Sequence, residues 1–300
     1  MPGIPLPAYY LPLDFSSTDE RGREKIIKNN TAKDGGPWKL YGRQHWKSAR
    51  LVQLDDRYAL RVPYPKGSGT SSSPNNDGGC AFSSAPWSSA TVDQAIVSFQ
   101  VYFGNGFDYI GGFQYGGKIA GFHVGDPRSK ASGKEHSEAA SFRMMWRERG
   151  SAVGYVYVPK GVEQPDKSLE PTGESDPGVD IFKGVFPEKT LKLGQWNTIK
   201  IGVKLNTFDA DGKPRGDGRA TLTINGKGAE KTNIVWRDDP ARKISLFKFN
   251  TFFGGPEHTR KDCVAYFSRF NMDTCWTYPT DDTRGVTYWN QRVNRCVPPK

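Results

Sequence analysis

Apolar residues recur at every second position in short stretches along most of the chain, and this alternation predicts half-buried β-strands. Ala95-Ile-Val-Ser-Phe-Gln-Val-Tyr-Phe103 carries the strongest such signal. Leu60-Arg-Val-Pro-Tyr-Pro65 reads as a strand ending in prolines, and residues 66–79, rich in Gly, Ser and Asn, read as a flexible loop. Further strands are expected near 139–147, 152–158, 195–204, 219–225, 243–252 and 263–271, with Asn225-Gly226 as a tight hairpin turn. Residues 159–190 are acidic and irregular and read as a long surface loop. No amphipathic helix of ordinary length and no internal repeat is visible. The pattern predicts an all-β fold, an antiparallel β-sandwich or jelly roll with a concave substrate groove. A Pro-rich, then charged, N-terminal arm (1–35) precedes the jelly-roll domain (36–275), and a tail (276–300) follows it.

The segment from Ser141 to Val158 sets its own register. Glu148-Arg149-Gly150 suits a three-residue hairpin loop with Gly150 in the left-handed position. Arg143 then faces Tyr155 and Ser141 faces Tyr157, all with one parity and therefore on one face of the sheet. Phe142, Met144, Trp146, Val156 and Val158 take the opposite, core face. A polar face of this kind suits β-elimination from a sugar acid. The uronate carboxylate must be neutralised before its weakly acidic C5 proton leaves, and Arg is a natural bidentate partner for it. A base must take the proton and an acid must protonate the leaving oxygen. A tyrosine, with an ordinary pKa of about 10, becomes a usable base beside a guanidinium, which favours the phenolate.

Composition narrows the partners. Lys plus Arg number 42 against 32 Asp plus Glu, a net charge of +10, which favours polyanions generally. No apolar run reaches the length of about eighteen residues that a membrane helix needs. Prolines interrupt the apolar N-terminus, which lacks a basic n-region and does not read as a conventional signal peptide. Arg143, Arg147 and Arg149 have no nucleic-acid-binding motif around them. Gly116-Gly117 lacks P-loop spacing. Asp209-Ala-Asp211-Gly212 lacks the distal Glu of a calcium loop and reads as a polar hairpin tip. Cys80, Cys263, Cys275 and Cys296 match no zinc module; a Cys275–Cys296 bridge and free core thiols both remain open.

Several stretches resemble polysaccharide lyase family 14, the alginate- and glucuronate-active lyases of chlorella viruses and marine molluscs. They are Leu60–Ser68, Gly78–Phe82, Val101–Asp108, Gly116-Gly-Lys-Ile-Ala-Gly121, Gln195–Asn197, Thr223–Lys227 and Thr251–Gly255. The resemblance implies a catalytic set of Lys118, Arg143, Tyr155 and Tyr157. Arg143 and Lys118 neutralise the carboxylate and the two tyrosines share acid and base duties. Ser141, His123 and Arg147 are expected to bind substrate, with orienting a tyrosine as the other reading of Ser141 and a structural place in its strand as the other reading of His123. The chain departs from the family pattern at Ala120, in the polar insertion 126–137 and in the expanded 159–190 loop, changes that bear on specificity.

The sequence thus leads to a polyuronate lyase working without metal or cofactor. It is expected to be a monomer, extracellular or virion-associated, with an acidic polysaccharide as partner and neither nucleic acid nor membrane. The competing readings are a non-catalytic acidic-glycan-binding or virion structural protein on the same fold, and a glycoside hydrolase. No carboxylate pair suited to a retaining glycosidase falls on a strand.

Overall fold

The computed structural model describes residues 40–44, 49–69, 78–85, 92–109, 116–129, 138–170, 178–254, 258–274, 288–290 and 295–297. Two seven-stranded sheets face each other. The front sheet runs β1 (Leu40–Gln44), β4 (Cys80–Ser84), β13 (Ile244–Gly254), β6 (Gly116–Val124), β7 (Ala140–Trp146), β8 (Ala152–Tyr157) and β9 (Val179–Phe186). The back sheet runs β12 (Lys227–Ile234), β11 (Gly218–Ile224), β10 (Trp196–Lys204), β5 (Gln94–Phe103), β14 (Cys263–Asp273), β3 (Arg57–Tyr64) and β2 (Arg50–Leu54). Neighbouring strands are antiparallel throughout both sheets. A small hairpin, β15 (Tyr288–Asn290) with β16 (Arg295–Val297), lies near the C-terminus. The all-β sandwich expected from the alternation is the fold observed.

Alternate residues of each sheet fill the space between them. Val97, Phe99, Val101 and Phe103 of β5 meet Phe142, Met144 and Trp146 of β7 and Phe247, Phe249 and Phe253 of β13 in one buried core. Burying an aromatic or large aliphatic side chain contributes roughly 1.5–3 kcal/mol, so this layer dominates the attraction between the sheets. At one end Tyr64 packs edge-on against Trp146 and Phe253, with centroids 6.1 and 5.3 Å away. Its hydroxyl is satisfied by Thr251 Oγ1.

Residues 159–190 differ from the expected surface loop, because strand β9 forms the edge of the front sheet within them. Phe182 and Gly184 adopt φ of 66° and 77°, which breaks the alternation that would have marked a strand. The stretch before β9 is also anchored. The Gln164 side-chain amide donates to the Val235 carbonyl and accepts from the Val235 amide, both at 3.0 Å. Of the expected 66–79 loop the start is pinned, with Gly67 N donating to Thr259 O at 2.8 Å; residues 70–77 lie outside the described residues. Strands β1, β2, β4, β6, β12, β15 and β16 add to those expected. The tip at Asp209–Gly212 is a polar turn, with Asp209 N donating to Lys213 O at 3.0 Å. Cys80 and Cys263 are free, buried thiols. Cys275 and the N-terminal arm lie outside the described residues.

Candidate active site

The β7–β8 hairpin has the register read from its sequence: Arg143 pairs Tyr155, Ser141 pairs Tyr157 and Trp146 pairs Ala152. Arg149 and Gly150 hold φ of 50° and 76° at its tip. The next segment pins that turn, Leu191 N donating to Gly150 O at 2.8 Å. Because side chains alternate, Phe142, Met144, Trp146, Val156 and Val158 enter the core, and Ser141, Arg143, Tyr155 and Tyr157 emerge together on the outer face of the front sheet.

Lys118 reaches that face through a bulge. On β6 the residues between Lys118 and Gly121 shift register against both neighbouring strands. Ile119 and Ala120 are consecutive, yet both point into the core. Lys118, Gly121 and His123 therefore share one side despite their mixed parity. Two glycines precede the lysine for a packing reason. A Cβ on Gly117 would lie 1.9 Å from Trp146 Cζ2, and one on Gly116, at φ +151°, would lie 2.0 Å from Trp146 O.

The assembled face is compact. Lys118 Nζ lies 5.2 Å from the Tyr155 ring centroid, 5.6 Å from Tyr157 and 5.9 Å from Phe252. The two tyrosines meet edge-on at 5.1 Å and 80°. They pack with Met145 and Val153 in a small apolar cluster, so the floor is dry: Ser141 is 0% exposed, Tyr157 4%, Arg143 6% and Tyr155 7%. Burial lowers the Arg143 pKa, and attraction to Tyr157 opposes that shift; the guanidinium and that phenol are electrostatic neighbours.

Arg147 and His123 sit at the margins. Arg147 Nη2 pairs with Asp180 Oδ1 at 2.5 Å, and its guanidinium lies 5.9 Å from the Tyr155 ring centroid. It braces that tyrosine while engaged with an edge-strand carboxylate. His123, opposite Ser141, is 0% exposed. Burial chiefly, with Lys248 nearby, holds its pKa down at about 3, so the imidazole is neutral at ordinary pH. Sequence reasoning missed Asp180, Gly178 and Lys248. A Cβ on Gly178 would lie 2.5 Å from the Tyr155 hydroxyl oxygen, so the absent side chain leaves that hydroxyl room. Lys248 was foreshadowed by the alternation Phe247-Lys248-Phe249, which sends it outward, but nothing in the sequence placed β13 beside β6.

The family model for polysaccharide lyase 14 matches residues 53–270. The chain belongs to polysaccharide lyase family 14. Its fold is similar to that of alginate lyase vAL-1 from Chlorella virus, at 36% identity and a TM-score of 0.72 over 81% of this chain and 96% of that one. It is also similar to the PL-14 alginate lyase of Aplysia kurodai, at 26% identity and a TM-score of 0.65 over 79% and 91%. Exolysin of Paramecium bursaria Chlorella virus 1 is 29% identical over 179 residues, 54% of this chain; the match spans only 26% of that larger protein. In this family-14 chain, Lys118, Ser141, Arg143, Tyr155 and Tyr157 stand on one face of the front sheet.

Proposed function

We propose that the protein cleaves an acidic, uronate-containing polysaccharide such as alginate or a glucuronan by β-elimination. The observation that carries this reading is the cluster itself. One ammonium lies 5.2 and 5.6 Å from two phenol rings, and a buried guanidinium lies in register with the first of them.

Arg143 and Lys118 bind the carboxylate of the sugar to be opened and offset its charge, which makes the C5 proton more acidic. One tyrosine of the Tyr155/Tyr157 pair, ionised to its phenolate, removes that proton and becomes the neutral phenol. The released electron pair forms the C4–C5 double bond and the C4–O4 bond breaks. The other phenol gives its proton to the departing O4, so no water is consumed. Ser141 and His123 hold sugar hydroxyls, and Arg147 steadies Tyr155 from the rim. The dry floor strengthens each electrostatic contact relative to water. The activity belongs outside the cell or on a virion, where such polymers are met.

Polymers of mannuronate, guluronate and glucuronate, incubated separately with the protein, provide the test. Ultraviolet absorbance from unsaturated uronate ends should rise on at least one of them. New reducing ends without that absorbance mean a hydrolase. Salt-sensitive binding with neither signal means a glycan-binding protein.

A further inference from the structure

Two other buried cations of this protein are paired. Arg147 has Asp180, and Arg237 has Asp93 along with the carbonyls of Asn206, Pro240 and Arg242. Lys248 is partly buried on the site face of β13. Among the described residues no carboxylate, carbonyl or hydroxyl engages it, and the charge that acts on it is a second cation, Arg143. Taking an ammonium out of water beside a like charge costs stability, and an arriving anion removes that cost.

The register explains the setting. Ser83, Lys248, Gly121, Arg143 and Tyr155 form one row across β4, β13, β6, β7 and β8. Lys248 and Arg143 are two strands apart, about 10 Å between Cα atoms at ordinary strand spacing. Gly121 lies between them and admits no side chain, since a Cβ there would sit 1.9 Å from Phe142 O. The floor between the two cations is therefore bare backbone. His123 adds a second unmet group. Its Nε2–H donates to the Asp126 carbonyl at 2.9 Å, which leaves Nδ1 as an acceptor, and this buried Nδ1 has no partner among the described residues. A ligand satisfying both groups carries an anion and a hydroxyl, as a sugar acid does.

We propose that Lys248 and His123 form a second uronate subsite beside the reaction centre. Lys248 takes the carboxylate of the sugar next to the one held by Arg143, and His123 Nδ1 accepts a hydrogen bond from a hydroxyl of that sugar. The subsite rests on the polyuronate reading above and extends it to a neighbouring sugar.

Its occupancy depends on pH in a fixed direction. Among the described residues, the titratable groups facing Lys248 are Arg143 on β7 and His123 on β6. Strand β4 offers the neutral Ser83, and the flanking Leu246 and Asn250 of β13 do not titrate. Burial first and Arg143 second lower the Lys248 pKa to about 8. In the free protein the ammonium is charged below that pH, so affinity for a polyuronate is complete there and falls as pH rises through it.

The test is steady-state kinetics of wild type, Lys248→Met and Lys248→Arg on a polyuronate between pH 6 and 10, with oligouronate binding measured in a Tyr157→Phe background. Lys248→Met should raise KM by roughly tenfold, the fold-change of one lost charge-assisted hydrogen bond. That loss should lie mainly in KM, and the rise of KM across about pH 8 should disappear. Lys248→Arg should restore KM. An unchanged KM and affinity in Lys248→Met overturns the subsite. So does a collapse of kcat at constant KM, or failure of arginine to rescue. If wild type eliminates no polymer but oligouronate affinity still depends on Lys248, the subsite stands and the lyase reading falls.

Discussion

Replacing Gly117 with alanine tests how the fold aims Lys118. The new Cβ would lie 1.9 Å from Trp146 Cζ2 and 2.2 Å from Cη2, well inside van der Waals contact. Trp146 has no room to retreat, because Tyr64, Phe107 and Phe253 pack edge-on against it at 6.1, 5.6 and 5.2 Å. Strand β6 must give way instead. Overpacking of this kind costs typically 1–3 kcal/mol, against roughly 0.5–1 kcal/mol gained by replacing a strand glycine. The net loss is about 1–2 kcal/mol, and the melting temperature should fall by about 2–4 °C in calorimetry. Lys118 is the next residue, and a misplacement of about 1 Å costs about a hundredfold in rate; kcat/KM should fall far more than stability does. Trp146→Phe removes the clashing ring atoms, so the double variant should recover part of both losses and give a favourable coupling energy. A Gly117→Ala protein with wild-type melting and activity, or strictly additive losses in the double variant, would refute this account of the Gly-Gly-Lys segment.

His123 should make the fold acid-sensitive. Its folded pKa of about 3 lies below the ordinary 6.5, so between these values the unfolded chain binds a proton that the folded one does not. Stability is therefore lost as pH falls through that window, by at most about 5 kcal/mol, and His123→Gln should flatten the acid limb of denaturant-derived stability against pH. Asp180→Ala strands the Arg147 guanidinium, whose side chain is 12% exposed. It should cost about 3 kcal/mol and lower kcat through Tyr155, with Asp180→Glu retaining more of both. Gly178→Ala should push the Tyr155 phenol aside, lowering kcat about ten- to a hundredfold with little change in melting.

Much of the site was legible because the β7–β8 hairpin is local. A three-residue turn and a period of two suffice to put Ser141, Arg143, Tyr155 and Tyr157 on one face and Trp146 in the core. Lys118 was supplied by resemblance and not by pattern, since a bulge at Ile119-Ala120 reverses its parity and leaves no mark in apolar alternation. Strand β12, Lys-Gly-Ala-Glu-Lys-Thr-Asn-Ile, is a polar edge held by its Asn225-Gly226 hairpin; periodicity alone does not reveal such a strand. Strand β9 was hidden by its two left-handed residues. Lys248 and Asp180 join the site through sheet order, a long-range property: β13 pairs with β6, more than a hundred residues earlier. Which faces are dry was legible; which strands are neighbours was not.

The most direct measurement is the mass of the chain ends released from a polyuronate by wild type, Arg143→Ala and Tyr157→Phe, with each variant's fold checked by circular dichroism. Elimination predicts new ends lighter by one water than hydrolytic ends from wild type, and none from either folded variant. Ends carrying the added water, or full release by both variants, would contradict a phenol- and guanidinium-based elimination on this face.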